Sequence, residues 1–185
     1  PLTLFVTEGR RMVEVARETG RIMQTGSQQR SDDRFRQACE LVRNGRLGKL
    51  KHVSVWLPSG RREGPFKPAA VPTGLDWDMW LGPAPTRPFN RNHFHYNWHW
   101  HWAYGNGDTG NQGPHQFDIA RWGLAKNEHP VKLSSTGGYF GPPASQETPD
   151  LHTSLFEYAD GTVFEFATRG QYTNDEGTQR IGNLF

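Results

Sequence analysis

An α+β fold with a largely antiparallel sheet is predicted for these 185 residues, on three observations. Two helical patterns come first, a long Pro-rich aromatic stretch interrupts the chain, and the last third reads almost wholly as strands. Runs of strands after runs of helices argue for segregated elements. The length fits one ordinary domain. A mean hydropathy of −0.79 would suggest disorder, but 7 Trp, 11 Phe and 5 Tyr offer large apolar area and the net charge is only +2, so a packed core is expected.

Residues 7–19 read as a helix, since Thr7 can cap it, Met12, Val13, Val15 and Ala16 recur at helical spacing, and Gly20 stops it. Ile22 to Thr25 looks like a short strand. A second helix is expected from Asp32 or Asp33, whose carboxylates suit an N-terminus, through Phe35, Ala38, Leu41 and Val42 to Asn44-Gly45. Leu50, Val53 and Val55 open a β pattern over residues 49–57. Residues 58–92 carry most of the prolines with Gly60, Gly64, Gly74 and Gly82, too Pro-rich for regular structure. Residues 93–102 alternate strictly, with His93, His95, Asn97, His99 and His101 against Phe94, Tyr96, Trp98, Trp100 and Trp102, which predicts an extended segment with an imidazole face and an aromatic face. A Gly-rich turn, 105–110, leads into a helix over Asn111 to Leu124. Strands come next over 131–140, 151–158 and 162–169, the last two a hairpin through Ala159-Asp160-Gly161.

Several function classes are excluded by composition. The 21 basic and 19 acidic residues are interspersed, with Arg30, Arg34 and Arg36 the nearest thing to a patch, so no nucleic-acid partner is expected. No stretch approaches the ~20 apolar residues of a membrane span, and no membrane partner is expected. The single cysteine, Cys39, excludes a disulfide framework and a thiolate zinc cluster. A cytoplasmic location is expected, although an opening on Pro1 in mid-pattern leaves room for a targeting signal upstream.

Gly105-Asn106-Gly107-Asp108-Thr109-Gly110 matches G-x-G-x-x-G, but it comes after a His/Trp segment where a dinucleotide fingerprint comes after an apolar strand, and the next strand ends in Gly137-Gly138 without an acid. A turn feeding a helix is the better reading. Four histidines on one strand edge could ligate a metal, yet no carboxylate stands between Asn90 and Tyr104, and hydrogen-bonded side chains lining a polar cleft are preferred; no metal is assigned. Asn111, His115, Asp118 and Trp122, spaced four, three and four, share one stripe of the later helix. His115 falls in its first turn, where the helix dipole favours a neutral imidazole able to accept the proton of an alcohol during hydride transfer. The bland alternative makes Asn111 an N-cap, with His115 and Trp122 in the core. Trp77, Trp80, Trp98, Trp100 and Trp102 could stack on sugar faces, though most are expected to be buried.

These segments together resemble the Gfo/Idh/MocA oxidoreductases, which include glucose-fructose oxidoreductase and inositol dehydrogenase. Pro1-Leu2-Thr3 before a helix resembles the end of the family's Glu-Lys-Pro motif and the start of the helix after it; Gln24-Thr25-Gly26-Ser27-Gln28-Gln29-Arg30 is similar to the last Rossmann strand and its exit. Leu75-Asp76-Trp77-Asp78-Met79-Trp80-Leu81-Gly82-Pro83 is similar to a stretch in a sugar-directed subgroup, and Asn111-Gln112-Gly113-Pro114-His115-Gln116-Phe117-Asp118 resembles the family's Asp-x-x-x-His-x-x-Asp helix. The resemblance implies a division into residues 1–30, the end of an NAD(P)-binding Rossmann domain (helix plus strand), and residues 31–185, a substrate-binding and dimerisation α/β domain with an open sheet, truncated at its end or not.

The resemblance further implies an NAD(P)-dependent oxidoreductase acting on a secondary alcohol of a small-molecule sugar or polyol. His115 takes the proton acceptor's position and Asn111 stands where the family has Asp, so it would orient substrate or His115 and could not relay a proton. Asp118, His99, His101 and Trp98 are assigned to substrate, and Gln28 and Arg30 to the nicotinamide side of NAD or NADP. The family's lysine would precede Pro1 and the true glycine fingerprint is missing from this sequence, so these residues by themselves are expected to be inert and not to bind NAD(H). Two alternatives stay open: a relative that cleaves glycosidic bonds through transient oxidation, and a non-catalytic sugar-binding or assembly domain. A homo-oligomer is expected through the C-terminal sheet, with Leu155, Val163, Phe164 and Phe166 offered to one covered face.

Overall fold

The computed structural model describes residues 2–58, 67–169 and 181–185. Among these residues the frame is one sheet of five strands, β1 (His52–Leu57), β2 (Lys132–Gly138), β3 (Leu151–Glu157), β4 (Val163–Arg169) and β5 (Gly182–Leu184), in the order β2-β3-β4-β1-β5. β2, β3 and β4 form an antiparallel meander, β1 joins β4 in parallel and β5 joins β1 antiparallel. The hairpin between β3 and β4 closes as the sequence predicts: Gly161 takes φ +81°, and Asp160 Oδ1 accepts the Thr162 N–H at 3.1 Å. That φ suits glycine because no Cβ meets the backbone there.

Period-two alternation divides the sheet into two faces. On one lie Val53, Val55 and Leu57 of β1, Phe164 and Phe166 of β4, and Ser154 and Phe156 of β3, paired as Val53 to Phe164, Val55 to Phe166 and Phe156 to Phe164. Helix α5 (Gly113–Leu124) covers this face, with Phe117 against Phe166 at 4.5 Å, Phe164 at 5.5 Å and Phe156 at 6.0 Å between ring centroids. Full burial of a ring such as Phe166 is worth on the order of 1.5–3 kcal/mol, and the partly buried Phe117 and Phe156 contribute less. Phe185 lies directly over Gly123, where an added Cβ would come within 2.4 Å of its ring. Phe164 and Phe166 therefore belong to the core, whereas Leu155 and Val163 belong to the opposite, open face; the expectation that all four share one face is corrected by strand alternation.

Helix α2 (Asp33–Arg43) packs on α5, with the buried Cys39 thiol directed at the Ile119 carbonyl, 3.7 Å away. Asp32 caps α2 by accepting from the Arg34 N–H at 2.8 Å. Helix α1 (Val6–Thr19) has no buried residue. Its cap is not Thr7: Glu8 reaches back to accept the N–H groups of Leu4 and Phe5 at 2.6 and 2.9 Å. Ile22 to Thr25 is not a strand, since no strand among the described residues pairs with it and Ile22 is 99% exposed.

Among its described residues, the interrupting stretch holds a short helix that its composition hid, α3 (Trp77–Leu81), capped by Asp76 accepting from the Met79 N–H at 3.0 Å; Gly60 and Gly64, like Pro1, lie outside the described residues. Residues 93–102 are not extended. They form 3-10 turns at Arg91–His93 and Asn97–Trp100, separated by His95 at φ +38° and Tyr96 at φ +66°. Two successive left-handed residues reverse the chain, so the imidazoles do not share an edge. Of the five tryptophans expected mostly in the core, only Trp100 is buried; Trp77, Trp80 and Trp98 are half-buried and Trp102 is exposed.

Candidate functional site

The Gly-rich segment is a short helix, α4 (Gly107–Asn111), joined to α5 through Gln112. Its glycines admit neighbouring chain rather than phosphate: a Cβ on Gly105 would stand 2.5 Å from the His99 Cα, and Gly107, at φ +71°, faces the Thr148 side chain. Asn111 consequently ends α4 and does not cap α5. Gln112 stays in the right-handed helical region, so Asn111 and His115 still succeed one another by about a turn.

His115 is the third residue of α5, half-buried, and its ring makes no hydrogen bond with the described residues. A turn further on, Asp118 is gripped by Arg30, with Nε to Oδ2 at 2.6 Å and Nη2 to Oδ1 at 2.8 Å. The same guanidinium lies 4.8 Å from the Trp122 ring centroid. Hydrogen bonding to Asp118 raises the Arg30 pKa beyond its ordinary value. The 3-10 turn Gln28–Ser31 thereby docks on the stripe that His115 begins. Gln28 is exposed at the start of that turn.

Asn111 donates from Nδ2 to the Tyr96 phenol oxygen at 3.3 Å. Below Tyr96, the buried His99 hydrogen-bonds through Nδ1 to the Tyr96 carbonyl, and its Nε2 lies 3.6 Å from Asp108 of α4. Asp108 also accepts the Trp100 indole N–H at 3.2 Å. His101 packs edge-on against His93 at 4.4 Å, and burial, then the neighbouring His93, pushes its imidazole pKa below the ordinary range. His99 and His101 are each 2% exposed and line no open cleft; Trp98 is half-buried beside His99. The structure thus brings together Asn111 and His115 and, adjoining them, Arg30 with Asp118, and sets His101 apart.

Sequence reasoning missed Tyr96 and Asp108. The alternation assigns Tyr96 to the aromatic face of a strand, and the glycine pattern assigns Asp108 to a turn; a carboxylate embedded in glycines next to a His/Trp segment was the available signal. Of the two residues expected on the nicotinamide side, Gln28 is exposed and Arg30 is engaged by Asp118. No group of three or more His, Cys, Asp or Glu among the described residues could hold a metal ion.

A family model described as the C-terminal alpha/beta domain of the oxidoreductase family, the Gfo/Idh/MocA group, matches residues 50–176. Among solved structures, the chain is similar to the WlbA dehydrogenase from Bordetella pertussis in complex with NADH and UDP-GlcNAcA, with TM-score 0.64 and 16% identity over 94% of this chain and 43% of that one. It is also similar to GenD2 from gentamicin A biosynthesis in complex with NAD, with TM-score 0.64 and 19% identity over 94% and 41%. An oxidoreductase from Thermotoga maritima matches with TM-score 0.62 and 18% identity over 94% and 44%. The chain thus spans about two-fifths of the length of these structures. No curated protein matches it. With the matched residues running from just before β1 to beyond β4, the chain belongs to the Gfo/Idh/MocA oxidoreductase family through its C-terminal α/β domain.

Proposed function

We propose that this chain is the substrate side of an NAD(P)-dependent oxidoreductase that oxidises a secondary alcohol of a carbohydrate or polyol, with residues 1–30 closing a nucleotide-binding domain. The observation that carries the reading is His115: an unengaged, half-accessible imidazole in the first turn of a helix, one turn after a polar amide. When bound, NAD(P)+ supplies the acceptor for the hydride leaving the alcohol carbon. His115 takes the hydroxyl proton on a ring nitrogen as the carbonyl forms. Asn111 orients the substrate and cannot itself carry the proton away, so His115 works as a single base. Arg30 fixes Asp118, and the pair forms a rigid polar wall beside His115, with Gln28 facing the nicotinamide side. A sugar nucleotide held by one structural neighbour supports a carbohydrate substrate for this domain type.

The test is an assay of the full-length protein for NAD+ and NADP+ reduction over a panel of sugars and polyols. Reduction by at least one of them is expected. Sugar binding without reduction of either nucleotide would replace this reading with that of a sugar-binding domain.

A further inference from the structure

Tyr96 holds a costly backbone conformation. At φ +66° and ψ −41°, with the Asn97 N–H bonded to the His95 carbonyl at 2.7 Å, it is the centre of a γ-turn of the rarer hand. A non-glycine residue in this region persists only when surrounding structure enforces it. Here α4 enforces it from both ends. Asp108 lies against His99, which bonds the Tyr96 carbonyl, and Asn111 bonds the Tyr96 phenol. The ring rests edge-on against His99 at 4.7 Å and Trp100 at 5.9 Å. Yet Tyr96 is 60% exposed, so this arrangement adds little to the core.

The Asn111 N–H occupies one lone pair of the phenol oxygen, which leaves the phenol O–H as a donor, and nothing among the described residues accepts it. The Asn111 carbonyl Oδ1 likewise receives no hydrogen bond from the described residues. A donor and an acceptor therefore stand side by side at the N-terminal edge of the His115 stripe. Two adjacent hydroxyls match that pair: one accepts from Tyr96 and its neighbour donates to Asn111.

We infer that Tyr96 and Asn111 together recognise a vicinal diol of the substrate, and that Tyr96 is a further substrate-contacting residue; the inference rests on the proposed site at His115. No proton leaves Tyr96 in this role.

The experiment compares trans-1,2-cyclohexanediol with cyclohexanol, two probes differing by one hydroxyl, as ligands of the full-length protein by calorimetry or saturation-transfer NMR, with and without NADH. The wild type is expected to prefer the diol by about tenfold, the scale of one hydrogen bond whose loss leaves a partner unpaired. Tyr96→Phe should reduce the preference to below about threefold while the protein stays folded by circular dichroism, with only a small drop in melting temperature for the lost Asn111 bond. A Tyr96→Phe variant that keeps the preference, or a wild type that shows none, overturns the inference. Diol recognition lost in Tyr96→Phe, in a protein that reduces neither nucleotide with any sugar, would keep this inference and reject the dehydrogenase reading.

Discussion

Arg30 holds both oxygens of Asp118 in a fork, 88 residues apart in sequence, and its guanidinium covers Trp122 one turn further along α5. The pair ties the exit from the N-terminal segment to the helix that carries His115. With the side chains 45% and 34% exposed, solvent screening keeps its worth near that of a good surface pair, about 1 kcal/mol. A double-mutant cycle of Arg30→Ala and Asp118→Ala in urea unfolding should return that coupling. Arg30→Lys should lose most of it, because an ammonium cannot form the fork. A coupling near zero would make the pair incidental.

His115→Ala in the full-length protein should lower turnover by about 100-fold, the scale of a lost general base. The melting temperature should hold, because the ring is half-exposed and bonds to no described residue. Stability falling while turnover persists would move His115 from chemistry to packing.

The open sheet face bears Leu155, 43% exposed, and Leu184, 63% exposed. We expect it to be covered by a second copy. Leu155→Arg should shift the full-length protein from dimer toward monomer in light scattering, with secondary structure unchanged. An unaltered mass would place the contact elsewhere.

Asp160 gives a pH signature for the β3–β4 hairpin. The Lys126 ammonium at 2.8 Å, and after it the Thr162 N–H, draws its carboxyl down from 3.8 to about 2. A depressed carboxyl pKa contributes stability fully above its unfolded value and loses it as pH falls through the folded one. The hairpin's contribution should thus fade between about pH 4 and 2. An NMR titration of the Asp160 carboxyl measures this directly, and Asp160→Asn should remove the dependence. A midpoint near 4 would contradict the Lys126 contact.

Regular elements were the legible part of the sequence. Helix α2, the hairpin and β1 were readable because Asp32, Asp160-Gly161 and the Val53-Val55 alternation act locally. The misreadings share a different origin. The alternation from His93 to Trp102 looks like a strand, but a strand needs a partner, and the segment instead folds back on itself, with His93 against His101, Tyr96 against His99 and Asp108 of α4 beside His99. The Arg30 fork was equally invisible, since nothing near Arg30 names Asp118. For the site, the His115 stripe was readable from spacing, whereas Tyr96 emerged only once a turn had placed its phenol against Asn111.

The parallel pairing of β1 with β4 also has a kinetic side. Ser54 meets Glu165 across 111 positions of chain, and closing so long a loop costs entropy before any strand contact repays it. During synthesis, Val53 and Val55 emerge early and must wait, uncovered, until β4 and α5 have been made. The pairing of β1 with β4 therefore has to wait for β4, since contacts distant in sequence form more slowly than local ones, and the uncovered valines are where a nascent chain is open to association with another.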